Sequence, residues 1–181
     1  MLLAIIAGCE IGFWVVLSAG LAARYPLRMH RLSTVLLVCV PLVDVVLLAA
    51  TVLDLRGGAV ANVTHGLAAA YIGFSIAFGP SMIRWADERF AHRFAEGPSP
   101  RRPPRYGAAR AKHEWRDFGK AAVAWAIGCA LLLGAIAMVG DASRTGALAG
   151  WIGRLTWVLG IWSLWPITYT LWPARPKRSD I

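Results

Sequence analysis

Acidic residues are scarce in this chain, 10 against 19 lysines and arginines over 181 residues, leaving a net charge of +9. Lysine is scarce too, three against 16 arginines. The three cysteines, Cys9, Cys39 and Cys129, form no C-x-x-C pair. That excludes a disulfide framework and a thiol oxidoreductase, and each lies in an apolar run where a thiol acts as a small hydrophobe. A nucleophile elbow, a P-loop and an H-E-x-x-H motif are all missing, so no motif specifies a reaction or calls for a cofactor. Ser18, Ser75 and Ser163 read as helix-packing hydroxyls rather than nucleophiles. Polar stretches long enough for a separate soluble domain are also absent, which leaves one membrane domain over 1–181.

What is present is apolar sequence: 57% of residues are hydrophobic. Five runs, at about 2–23, 33–53, 59–83, 119–140 and 147–171, each supply the roughly 20 residues that cross about 30 Å of hydrocarbon as a helix. The basic residues alternate between the connections. Arg24, Arg28 and Arg31 fall on one side with the 84–118 loop and with Arg175, Lys177 and Arg178, while the other side keeps only Arg56, Arg144 and Arg154. By the positive-inside rule this predicts an all-α membrane protein of five transmembrane helices, N-terminus outside and C-terminus inside. The expected location is the bacterial cytoplasmic membrane. The charge that would suggest nucleic acid in a soluble chain is explained here by topology and by attraction to anionic headgroups, so lipids are the expected partners and nucleic acid is not.

The first run lacks a basic leader, carries Glu10 and is followed by arginines, so it reads as a retained helix rather than a secretion signal. Asn62-Val63-Thr64 matches a glycosylation pattern by chance, inside the third run. Ala4, Gly8 and Gly12 in the first run, and Gly66, Ala70, Gly73 and Ala77 in the third, are small residues at helical spacing, where backbones can approach closely. Pro41 is expected to bend the second helix just before Asp44. Beyond Gly79-Pro80 the third helix continues as an amphipathic extension at the inner interface: Ile83, Ala86, Phe90 and Phe94 recur on one face, with Trp85 at headgroup level. A stiff proline-rich connector, 97–105, follows, then a charged helix over about 108–118. In the fifth helix Trp151, Trp162, Trp165 and Trp172 share one face, either as an interfacial belt or as an aromatic wall against a partner or apolar ligand.

Ionisable groups inside the runs are the functional clue. Counted inward from the outer end, Glu10, Asp44, His65 and Arg154 fall in a single layer of the outer half, roughly 10–13 Å deep at 1.5 Å per residue. Charges there normally pair, face the bundle interior or meet water. The layer predicts Arg154 against Glu10, Asp44 or both, with His65 close by and Asn62 and Thr51 adding polar contacts. Such a network either fixes helix packing or forms a proton, ion or small-solute site in which His65 can titrate near neutral pH. Glu10, Asp44 and His65 have metal-ligand types but no diagnostic spacing, and no metal is expected.

The segment Gly73 to Arg116 includes Arg84-Trp85-Ala86-Asp87, Phe90-Ala91-His92-Arg93-Phe94 and Pro104-Arg105-Tyr106-Gly107. It resembles a segment of small uncharacterised actinobacterial integral membrane proteins, which implies a bacterial membrane protein and transfers no catalytic or binding residue. The expected role is a non-enzymatic accessory or assembly subunit with a protein partner or a second copy. The alternative is a small proton- or ion-coupled transporter or channel subunit built on the charged layer, although no internal repeat of the kind transporters use is present.

Overall fold

In the computed structural model the described residues are 2–25, 27, 29–61, 63–94, 98–99, 104 and 106–172, with side chains left aside at 2–7, 9–10, 13, 64, 91 and 94. Among them the chain is helical and antiparallel throughout: α1 Leu2–Arg24, α2 His30–Arg56, α3 Val63–Phe94, α4 Gly107–Val139 and α5 Ala142–Leu171. Four of these, α2 to α5, contain windows long and apolar enough to cross a membrane. In α1 the described side chains form an apolar Trp14–Arg24 segment within 23 helical residues. Cys39 and Cys129 are free thiols.

Short turns force neighbours to run antiparallel. Gly140 ends α4 at φ 69°, a left-handed conformation that suits glycine, and its N–H donates to Ile136 O. Asp141 then caps α5 by accepting from the Ser143 N–H at 2.9 Å and the Ser143 hydroxyl at 2.6 Å. Two residues thus complete the reversal. The α2–α3 connection is longer, and Arg144 holds it: Ala61 N–H donates to Arg144 O at 2.8 Å, and the Arg144 guanidinium donates to Leu55 O at 3.1 Å and Asp141 at 2.7 Å. This is the Arg144 end of the bundle. The opposite, Arg24 end holds the α1–α2 turn and the facing ends of α3, α4 and α5.

α1 packs on α2, α2 on α3, α3 on α4 and α4 on α5, with α3 also touching α5. The core lies toward the Arg144 end, where Leu55, Leu132 and Leu148 are fully buried with Val52, Ala68, Ala69 and Ile72. Lipid tails are as apolar as leucine, so close packing rather than water exclusion holds membrane helices together. Gly73 is where this is tightest: a Cβ there would sit 2.4 Å from Ala124 O and 3.2 Å from Gly128 N. At Gly66 the neighbour is the Trp151 indole, 2.0 Å from the same imagined Cβ. The expected close approach through Gly8 and Gly12 is not made inside the chain, because both face open space; α1 meets α2 at Gly20, against Leu36 and Leu37. Tryptophans fasten α5. Trp125 and Trp115 donate to Thr156 and Thr170 at 3.0 Å, and Trp151 donates to Val63 O at 2.6 Å.

Several boundaries move from their expected places. The third helix begins at Val63, not near 59, because Ala59–Ala61 is held in a non-helical turn by Arg144. It does run on to Phe94 as the sequence suggests. The charged piece at 108–118 and the fourth span form one continuous helix of 33 residues. Of the proline-rich connector only Pro98, Ser99 and Pro104 lie among the described residues, and the basic tail 175–178 lies outside them.

Candidate functional site

Of the expected layer, Asp44, His65 and Arg154 have described side chains. Asp44 is buried on the inner stripe of α2, 3% exposed, with Thr51 two turns on and Ser33 three turns back, both at 0%. Among the described residues Asp44 Oδ2, Thr51 Oγ1 and Ser33 Oγ have no hydrogen-bond partner. His65 is buried near the start of α3, only two residues in, and so roughly 3 Å from the Arg144 end. Asp44 lies roughly 18 Å from that end by the same rise per residue. Arg154 lies twelve residues into α5 and three beyond Trp151, whose indole packs on Gly66 next to His65, but its side chain is exposed and its guanidinium sits over the Trp151 ring at 5.5 Å. Among the described residues Arg154 makes no ion pair. Asn62 and the side chain of Glu10 lie outside the described residues.

The aromatic face also divides. Trp151 and Trp162 turn inward, Trp151 on Gly66 and Trp162 stacked on Phe78 with ring centroids 5.8 Å apart. Trp165 and Trp172 turn outward, as does Trp157. The outward surface of α5 carries a row of glycines, Gly146, Gly150, Gly153 and Gly160, each with open space where a Cβ would be. A shallow hollow of about 330 Å³ beside Trp157, Gly160 and Leu164 lies on this surface. The helix buries only Thr145, Leu148 and Pro166.

A larger cavity lies elsewhere. A cleft of about 1250 Å³ opens between α3 and α4 toward the Arg24 end. Its apolar lining is Phe78, Met82 and Trp162, with Trp85 toward the rim. Its rim is charged: Glu88, Arg89, Arg93, Asp117 and Lys120, with His92 and His113. Local structure places each group. Pro80 interrupts the α3 hydrogen-bond ladder at the cleft, and Ser81 Oγ donates to Phe78 O at 2.8 Å. The Arg89 guanidinium stacks over Trp85 at 4.2 Å. On α4, Asp117 accepts from Lys120 at 2.8 Å and faces His113 Nε2 at 3.4 Å. Close by, Arg24 grips Asp87 with two donors, Nε to Oδ1 at 2.5 Å and Nη2 to Oδ2, a bidentate pair between the α1 terminus and α3. Tyr25 stacks on Phe90 beside it, ring centroids 4.5 Å apart.

The chain is 44% identical over 172 residues to the uncharacterised membrane protein YmcC of Bacillus subtilis (strain 168), across 94% of this chain and 92% of that one. It belongs to the YmcC family of membrane proteins. No protein-family model matches it, and no solved structure does. With its apolar helices, this makes the chain a multi-pass, all-helical membrane protein.

Sequence reading of the YmcC-like chain missed the cleft as a unit. In the sequence its rim residues fall in the amphipathic extension and the charged 108–118 piece of the basic loop, and Trp162 in a separate aromatic face. One signal was available. His92, Arg93, His113, Asp117 and Lys120 flank a single connector on two helices that must run antiparallel, which brings their charges to one end.

Proposed function

We propose that this protein is a non-enzymatic accessory or assembly subunit of the bacterial cytoplasmic membrane, and that α5 docks a transmembrane helix of another protein. The Arg24 end, with the basic 84–118 segment, faces the cytoplasm by the positive-inside rule. The arginine-rich composition suits an actinobacterial source. Arg154 carries the reading. It is exposed roughly 18 Å along a helix roughly 45 Å long, a depth at which a charge facing lipid costs several kcal/mol. The Trp151 ring offsets part of that cost. The glycine row beside it suits close backbone approach. The partner should bring a carboxylate at that depth.

A photocrosslinker at Trp157 in native membranes tests this. The reading expects a discrete adduct with a protein that has an acid within a transmembrane segment, lost on Arg154→Leu and restored when Arg154→Glu is combined with a lysine in place of that acid. Adducts to lipid alone, or to a second copy alone, would overturn it.

A second reading rests on Asp44, a buried carboxylate with an unpartnered oxygen on the same stripe as the unpartnered Ser33 and Thr51 hydroxyls. That arrangement favours a proton- or ion-coupled unit. Proton flux into vesicles should then be present with the parent protein and absent with Asp44→Asn; equal flux from both removes this reading.

A further inference from the structure

We propose that the cleft between α3 and α4 is a specific site for an anionic glycerophospholipid, its phosphate held by Arg89 and Lys120 at the rim and its acyl chain lying along Met82, Phe78 and Trp162. The chemistry changes along one cavity. From Arg93 down to Phe78 is fifteen residues of α3, roughly 22 Å of helix, about the reach of a headgroup and much of a chain. Over that length the walls pass from charged to aromatic. A site for a free phosphate or a soluble polar solute has no use for the aromatic floor, and a site for a neutral apolar molecule has no use for the rim.

The charge at the rim selects the sign. Arg89, Arg93 and Lys120 line the cleft with Glu88 and Asp117, an excess of one positive charge among these five, which matches a phosphodiester of charge −1. The donors are also held in place. Stacking on Trp85 fixes the Arg89 guanidinium plane, and planar guanidinium suits phosphate oxygens. Asp117 takes one Lys120 donor, leaving two of the three ammonium protons for a ligand. Trp85 beside the rim is the residue type expected at headgroup level. The site stands apart from the α5 docking face and does not depend on it.

The test is lipid retention by the purified full chain, followed by native mass spectrometry after titration with phosphatidylglycerol, phosphatidylethanolamine or phosphatidylcholine. Phosphatidylglycerol should bind roughly tenfold or more tightly than phosphatidylcholine, in line with the attraction expected for two nearby cations. Arg89→Gln with Lys120→Gln should bring the two lipids within about twofold, on the same grounds. Lys112→Gln with Arg116→Gln removes equal charge from exposed positions outside the cleft and should leave the preference intact. Glycerophosphoglycerol, the headgroup without chains, should fail to displace bound lipid. Equal loss in the two double variants, no preference in the parent, a preference for phosphatidylethanolamine, or displacement by the soluble headgroup would each overturn the proposal. Thermal melting of each variant confirms that it is folded before the titration is read.

Discussion

Replacing Gly73 by alanine should separate α3 from α4. The new Cβ would lie 2.4 Å from Ala124 O and 3.2 Å from Gly128 N. Both are backbone atoms, so neither can rotate aside. A relaxed carbon–oxygen contact is about 3.3 Å, so the helices must part locally by roughly 0.9 Å. Overpacking of this kind typically costs about 1–3 kcal/mol. Because backbone opposes the methyl and the movement also disturbs Gly128 against Ala69 and Leu155, about 2–3 kcal/mol is expected. Even 2 kcal/mol is roughly a 30-fold change in the folded-to-opened ratio. Cys129 adjoins Gly128, is 7% exposed and reports directly on this crossing. In a background with Cys9 and Cys39 replaced by serine, a thiol-reactive dye should label Cys129 faster and at lower temperature in Gly73→Ala than in the parent. Gly134→Ala, on the same α4 but facing open space, should label like the parent. If Gly73→Ala and the parent give the same labelling rate and melting midpoint, the close crossing is not where the structure puts it.

Thr156→Val strands the Trp125 indole N–H within the bilayer and should cost about 1 kcal/mol, read as a lower detergent melting midpoint, whereas Thr170→Val at the Arg24 end, where water can replace the lost partner of Trp115, should cost less. The Asp141 carboxyl is held below the usual carboxylate range, first by the Ser143 hydroxyl, then by Arg144 and the Ser143 N–H. Its folded-state value being lowered, the tie it makes is intact above the ordinary carboxylate range and is lost as pH falls through the depressed value. Amide exchange at 142–145 should therefore be flat above about pH 5 and accelerate only in stronger acid; a step near neutrality would refute this. Single cysteines at Gly57 and Ser99 should react with impermeant reagents from the outside and the inside respectively, and the reverse result would invert the proposed orientation.

Helix number was legible in the sequence because run length and apolarity are one-dimensional properties of each segment. The end of the fourth run at 140 was legible, but the fifth helix starts at Ala142 rather than near 147, because Asp141 caps it. Depth and rotation were not, because they depend on how separate helices meet. The third helix starts at Val63 rather than near 59 because a tertiary contact, Ala61 to Arg144, holds the turn before it. Gly66 and Gly73 were recognisable as close-approach positions, but not that an indole fills one and a carbonyl the other. Trp151 and Trp162 lie only a few tens of degrees round the helix from Trp165 and Trp172 at 100° per residue. That rotation is the difference between packing on α3 and facing outward, and a helical projection of α5 alone does not locate the boundary.

Arg144 bears on how the chain is made. Synthesis delivers α2 and α3 well before α5, yet the turn between them leans on Arg144 through Leu55 O and Ala61 N–H. Until the last helix enters, those two backbone groups have no partner from α5, and the top of the early bundle is left loose. A nascent chain stopped after α4 should accordingly be a better protease substrate at 57–61 than the finished protein. Assembly order is thereby written into one connection: the α2–α3 turn is the early part of the bundle that only the arrival of α5 completes.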